Sequence, residues 1–298
     1  MEPKQEVEIT SQVLLPVDGP RCELAESPRW DGVAWWWLDV PAGAVYRMVP
    51  GAAAELMLRT GRRASFLAPL GPGRLVLAEE NRLQRLRLVG GTVRIEPRIR
   101  VPLPAGWLLN DGCLGPDGSI WVGSVAPAGA DGRRPATGSL IRVTTHGEIS
   151  APVSGFALSN GLGWIDSRTL LHADSGTGIV WRHRFDTAFA AIESKEYLRI
   201  PAPEGLPDGL AIDSAGLIWL AVYGAGEVRA IRDGRTVARV PVPTAQTTAV
   251  AVGGLAGDEL LVTTAREGYD DVRSAAEPLA GRIFHGTVST MNASEERG

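Results

Sequence analysis

The apolar residues of this chain come in short runs separated by turn dipeptides such as Asp31-Gly32, Pro72-Gly73 and Asp117-Gly118. Helical periodicity is scarce, so the runs read as strands joined by tight turns. The stretch LPDGLAIDSAGLIWLAVYGAGEV, Leu206 to Val228, shows the unit: an apolar run, the turn Asp213-Ser214-Ala215-Gly216, then Leu217 to Val222. This predicts a β-hairpin. Asp208 stands at its head, where an Asx turn or a solvated strand end is the ordinary reading.

The unit recurs six times. The copies begin ESPRWDGVAWWWLDV at Glu26, SFLAPLGPGRLVLAEE at Ser65, NDGCLGPDGSIWVGSV at Asn110, NGLGWIDSRTLLHADS at Asn160, DGLAIDSAGLIWLAVY at Asp208 and TAVAVGGLAGDELLVTT at Thr248. Their second strands centre on Trp36, Val76, Trp121, Leu171, Trp219 and Leu261. Successive centres lie about 40 to 50 residues apart, the length of a four-stranded propeller blade. The expected fold is therefore all-β: a six-bladed β-propeller of four-stranded blades, forming one domain over residues 1–290 with 291–298 as a tail. A pair of stacked β-sandwiches shares the short strands but does not explain a sixfold repeat. Trp35-Trp36-Trp37 suits a middle strand packed on both faces. The run from Val7 to Leu15 has no unit of its own and is expected to close the ring by adding a strand to the last blade.

Composition narrows the function. The chain has 298 residues, 44% of them hydrophobic, enough for one large β architecture. Its net charge of -4 is spread along the chain, with no basic stripe, so no nucleic-acid partner is expected. No signal-like or membrane-spanning apolar stretch occurs, so a cytoplasmic protein without a membrane partner is expected. Cys22 and Cys113 read as packing residues. His146, His172, His183 and His285 are scattered without metal-ligand spacing, and His172 reads as a core or channel-lining residue. No GxSxG elbow, Walker loop or helix-opening GxGxxG is present. The Arg62-Arg63 and Arg133-Arg134 pairs read as solvated loop charges, with contact to an anionic ligand as the alternative.

With the repeats superposed, Glu26, Ser65, Asn110, Asn160, Asp208 and Thr248 occupy equivalent places. Equivalent positions on the innermost strands face one another across a propeller's channel. Two carboxylates and two amides confined there call for a cation, because unpaired buried charge is costly. A donor set made only of oxygen favours Ca²⁺ or Mg²⁺, with Mn²⁺ possible and Zn²⁺ weaker. The competing reading remains open, since NDG, SNG and PDG are also ordinary turn sequences.

Together, AESPRW, LLNDGCLGPDGSIWVGSV, LSNGLGW, HADS, LPDGLAIDSAGLIWLAVYGAGEVRAI and GGLAGDELLVTTAR resemble the family of senescence marker protein (regucalcin), gluconolactonase and luciferin-regenerating enzyme. The likeness runs in order from about Glu23 to Gly286. It implies a six-bladed propeller holding one divalent ion, Ca²⁺ first and Zn²⁺, Mn²⁺ or Mg²⁺ as alternatives, on Glu26, Asn110, Asn160 and Asp208. It further implies hydrolysis of sugar-acid lactones, with Asp208 as the catalytic carboxylate. Two departures stand out: Leu108 occupies the place of a substrate-binding Arg, and a Glu that holds sugar hydroxyls would fall near Pro127.

Apolar residues in place of those two polar groups point to a lactone or ester less polar than a sugar lactone. Trp107, Leu108, Leu109, Asp111, His172 and Tyr223 are the candidate substrate contacts, and Asp111 and His172 are also candidates for proton transfer. Asp208 could act as base, as nucleophile or as a ligand only, because a neighbouring cation weakens a carboxylate as a base. The alternatives are other chemistry at the same metal site, such as phosphotriester hydrolysis, cyclisation or dehydration, and a non-catalytic propeller that binds a small molecule. No pattern in the chain speaks to oligomeric state.

Overall fold

A computed structural model describes residues 7–11 and 13–292. Among them are six antiparallel sheets, numbered here as blades I to VI; blades I to V are each a meander running outward from its first strand, and blade VI takes its outer strand from the N-terminal segment. The first strands are Ala25–Trp30, Ala64–Gly71, Leu108–Leu114, Ser159–Trp164, Leu206–Ile212 and Thr247–Gly253. Each packs beside the first strand of the next blade, and Thr247–Gly253 packs beside Ala25–Trp30, so the six form a closed ring about an axis. No helix among the described residues is long and apolar enough to cross a membrane.

Local chemistry explains why each hairpin forms. Asp213 Oδ1 accepts from the backbone N–H groups of Ala215 and Leu217 at 2.9 Å, which fixes the turn, while its Oδ2 accepts from Trp219 Nε1 at 3.1 Å. Asp31 does the same in blade I, accepting from Val33 and Ala34 N and, at 2.7 Å, from Trp36 Nε1. In blade III the relay passes through Ser119, whose Oγ accepts from Trp121 Nε1 at 3.0 Å. One short polar turn thus satisfies both its own backbone and the indole of a buried second strand.

The core lies between blades. Trp219 of blade V packs with Val250 and Leu260 of blade VI in one cluster, and Phe66 of blade II with Leu109 and Val122 of blade III in another. Every residue of the second strand Trp35–Asp39 is buried, as a middle strand covered on both faces requires. Cys22 is buried and Cys113 half-buried, both are free, and burial pushes both thiols up to about 12, so they behave as packing groups.

Blade VI has three strands of its own, Thr247–Gly253, Glu259–Thr264 and Phe284–Asn292. Its outer position is filled by the N-terminal strand Val7–Ser11, with Val7 opposite Asn292 and Ser11 opposite Val288. Leu15 and Pro16 add a second short pairing, to His285 and Phe284. The ring is closed by the two ends of the chain, as expected. Of the segment 291–298, Met291 and Asn292 end this last strand, and the remainder lies outside the described residues.

Candidate functional site

Each of the six first strands loses register with its neighbour at the equivalent place. The shifts fall between Glu26 and Arg29, Ala64 and Phe66, Leu109 and Gly112, Ser159 and Leu162, Pro207 and Leu210, and Thr247 and Ala249. A bulge leaves residues unpaired and re-aims their side chains. Here the residues so freed include Ser65, Asn110, Asn160, Asp208 and Thr248, while Glu26 borders its own bulge.

Asn110-Asp111-Gly112, Ser159-Asn160-Gly161 and Pro207-Asp208-Gly209 are thus mid-strand bulges, not turns, and Gly161 and Gly209 answer a different need. A Cβ on Gly161 would lie 2.5 Å from both Asp208 O and Leu210 N, and one on Gly209 would lie 2.3 Å from Ala249 Cβ. Neighbouring blades approach too closely for any side chain. Gly161→Ala is expected to destabilise the fold by about 1–3 kcal/mol through overpacking, read as a fall in Tm of roughly 2–5 °C for a domain of this size. A Tm equal to that of the parent would contradict this account of the glycine.

The bulge in blade I carries strain. Ser27 has a φ of 54°, in the left-handed region that disfavours a residue with a Cβ. It is held there by Leu67 of blade II, whose N–H donates to Ser27 Oγ at 2.9 Å and whose carbonyl accepts from it at 3.2 Å. Ser27 N in turn donates to Glu26 Oε2 at 3.1 Å, which aims the carboxylate. Strain of this kind persists where the surroundings over-determine it, commonly at functional sites.

Glu26, Asn110, Asp111, Asn160, Asp208 and Tyr223 all line one cavity of about 600 Å³. A larger depression, about 780 Å³ around Leu75, Arg85 and Leu114, contains none of the candidate residues. Asn110 Nδ2 donates to Ser159 O at 2.9 Å. Asn160 Nδ2 donates to Ser175 Oγ at 3.2 Å, and that hydroxyl donates to Pro207 O at 2.7 Å. Both amide nitrogens are thereby tied down. Asn110 Oδ1 accepts from Arg63 Nη2 at 3.3 Å, but Asn160 Oδ1 and Asp208 Oδ1 are buried without any partner. Such orphaned oxygens are rare and ask for a missing ligand.

The carboxyl groups are under the same pressure. Burial pushes Asp208 well above the usual carboxylate range, reinforced by the charges of Glu26 and Asp111. Burial, and then the charge of Asp111, lift Glu26 to about 8. Asp111 is raised by burial and pulled back by Arg29, whose Nη2 lies 3.2 Å from Asp111 Oδ1. Among the described residues no group of three or more His, Cys, Asp or Glu is placed to hold a metal; the donors converging here are amide as much as carboxylate. Two unpartnered oxygens beside carboxyls that resist ionisation match the chemistry of a hard divalent cation.

Other candidates lie elsewhere. Leu109, next to Asn110 on a bulged strand, is fully buried in the core between blades II and III. Trp107 lines a separate depression with Pro102, Pro104 and Ile141, and Leu108 is half-buried outside the cavity lining. His172 sits on the second strand of blade IV, one layer out from the axis, with Nε2 2.7 Å from Ser159 Oγ and its ring against Phe156. Burial, helped by the neighbouring His183, holds its pKa well below the ordinary value, so it stays neutral in the core.

The cavity also contains residues that the repeat alignment does not pick out: Arg63, Arg134 and Glu267. Arg63 precedes the first strand of blade II, and Arg134 comes from the Gly- and Pro-rich segment between the second and third strands of blade III. Burial lowers the pKa of Arg63, partly offset by Glu26 and Glu267. The paired arginines in the sequence were the only signal of Arg63 and Arg134, and nothing in the repeat pattern pointed to Glu267.

The closed ring is a six-bladed propeller whose oxygen donors Glu26, Asn110, Asn160 and Asp208 line one cavity. The chain belongs to the SMP-30/gluconolactonase/LRE-like family, whose model matches residues 24–266. It is similar to pentonolactonase XacC of Haloferax volcanii, with 31% identity over 93% of this chain and 94% of that one. It is also similar to regucalcin of Xenopus laevis, with 27% identity over 88% and 90% of the respective chains. A solved structure of a luciferin-regenerating enzyme superposes with a TM-score of 0.79 at 28% identity, covering 90% of this chain and 92% of the other.

Proposed function

We propose that this protein is a divalent-cation-dependent hydrolase that opens a lactone or ester less polar than a sugar lactone. The carrying observation is the pair of buried, unpartnered oxygens, Asn160 Oδ1 and Asp208 Oδ1, in a cavity shared with Glu26 and Asn110. The family and the name of the pentonolactonase support the reaction class. Glu26, Asn110, Asn160 and Asp208 would hold the cation, Ca²⁺ first, with Zn²⁺, Mn²⁺ or Mg²⁺ able to replace it. When bound, it supplies polarisation of the substrate carbonyl and stabilises the charge that develops on its oxygen.

The residues of the chain divide the remaining work. Asp208 orients the attacking water and takes its proton, and its burial excludes competing solvent. Asp111, fixed at the wall by Arg29, is an ionised carboxylate that holds the guanidinium in place and helps orient the water beside Asp208. Tyr223, kept protonated by burial that lifts it to about 12, offers a hydroxyl to the substrate. The less polar substrate now rests on Leu24, Val40, Pro41, Leu158 and Leu206, which line the cavity, in place of Trp107 and Leu109. The substrate is a small molecule, and two free thiols suit a cytoplasmic setting.

Cation binding should carry a pH signature. Glu26 titrates at about 8 when folded against 4.5 ordinarily, so the cation-free fold loses stability as pH rises from about 4.5 through 8. A cation removes that loss, and the Tm gain on adding Ca²⁺ to chelated protein should be larger at pH 8 than at pH 5. The decisive test assays a panel of γ- and δ-lactones and simple esters with chelated protein and after adding back each of the four ions. Cation-restored turnover supports the proposal; turnover of none, with any ion, overturns it.

A further inference from the structure

Arg63 and Arg134 reach the same cavity from blades II and III, yet neither has a carboxylate within ion-pairing distance among the described residues. Their neighbours do: Arg62 Nη1 lies 3.0 Å from Glu80 Oε2, and Arg29 Nη2 lies 3.2 Å from Asp111 Oδ1. Arg63 spends donors on Leu109 O at 3.4 Å and Asn110 Oδ1 at 3.3 Å, and Arg134 donates to Ala126 O. A guanidinium has five donors in a planar fork that matches a carboxylate, so most of this capacity is unspent.

Charge balance gives the same answer. With a divalent cation held between them, Glu26 and Asp208 are neutralised, and Asp111 is matched by Arg29. The cavity then holds two guanidinium charges against Glu267 alone, and the surplus is positive. Arg63 is half-buried and Arg134 is exposed at the edge of the cavity, and the like charge of Arg134 bears on Arg63, so an anion between them would relieve both the repulsion and the burial of Arg63.

We propose that Arg63 and Arg134 form an anion subsite that selects lactones or esters bearing a carboxylate away from the scissile bond. The proposal rests on the hydrolase reading above and confines its lower polarity to the ring, which is poor in hydroxyls where it meets Leu24, Val40 and Leu206, while one end of the substrate is charged. The carboxylate is held by N–H donors from two blades, which fixes the ring of the substrate relative to Asp208.

The test compares 5-oxotetrahydrofuran-2-carboxylate with the matching carboxamide as substrates of the calcium-loaded protein. The carboxylate should be preferred roughly 10- to 100-fold through KM, the range of a charge-assisted contact. In Arg134→Met and in Arg63→Met this ratio should fall toward one, while Arg63→Lys should retain part of it. Equal handling by the parent protein, or a ratio unmoved in both Met variants, overturns the proposal. A second arm measures calorimetric binding of the non-hydrolysable tetrahydrofuran-2-carboxylate against its carboxamide. If neither lactone is hydrolysed but the carboxylate ligand binds and both Met variants lose it, the hydrolase reading fails and the subsite stands. Binding that the Met variants do not weaken means that the cation alone holds the anion, and the subsite fails.

Discussion

Asp208→Ala is expected to yield a folded propeller whose kcat/KM on any accepted lactone has dropped by roughly three orders of magnitude or more, since it removes a cation ligand and a proton acceptor together. The divalent ion content should fall from about one per chain to near zero in the same variant. The stability effect should have the opposite sign. In the parent Asp208 is 6% exposed as a residue, has an unpartnered Oδ1 and lies near two other acids, Glu26 and Asp111. Without a cation this is a buried, uncompensated group, and its removal relieves repulsion. Chelated Asp208→Asn should therefore melt no lower than the chelated parent, while Ca²⁺ should raise the Tm of the parent alone. Retained turnover in Asp208→Ala, with ion content unchanged, would show that the orphaned oxygen has another purpose.

Deleting residues 1–16 should remove cooperative folding altogether. The deletion strips the outer strand from blade VI, exposes the whole edge of Phe284–Asn292, and takes Leu14 out of the cluster that includes Phe284 and Val288. It also unlatches the two ends of the ring. A domain's entire stability is about 5–15 kcal/mol, and a broken closure threatens all of it. The measurement is the soluble fraction and thermal transition of the truncated chain. A peptide covering residues 1–18, supplied in trans, should restore part of the transition by strand addition. A truncated monomer that melts cooperatively near the parental Tm would rule out this closure.

The parts of the fold that could be read from the chain are those set by local chemistry. The Asp-to-Trp turns at Asp31 and Asp213 recur because each solves a local hydrogen-bonding problem, so the repeat is visible and blade number follows. Four converging side chains were legible for the same reason, through their equivalent positions. Gly161 and Gly209 were not, because their need comes from a neighbouring blade rather than from the turn chemistry that SNG or PDG suggests. A bulge also resets the in-out alternation, so the direction of Leu109 could not be counted from Asn110. Arg63 and Arg134 were obscured in another way: where a loop residue turns depends on the assembled ring, and two adjacent arginines look alike whether they meet water or a ligand.

The row of six bulges has a consequence for how such a protein can evolve. Beyond each bulge the ladder resumes, as when Arg29 pairs with Trp36 and Gly112 with Val122, so a substitution at the freed residue leaves the blade's own packing untouched. Not all six positions are equally free to drift. Ser65 Oγ donates to Leu109 O at 2.8 Å, and Thr248 Oγ1 donates to Ala25 O at 2.6 Å, each riveting its blade to the next. Asn110 is tied to Ser159 O of the next blade in the same way, so an adaptive walk toward a new substrate has three places, Glu26, Asn160 and Asp208, where it can exchange chemistry and three where every exchange also loosens the ring.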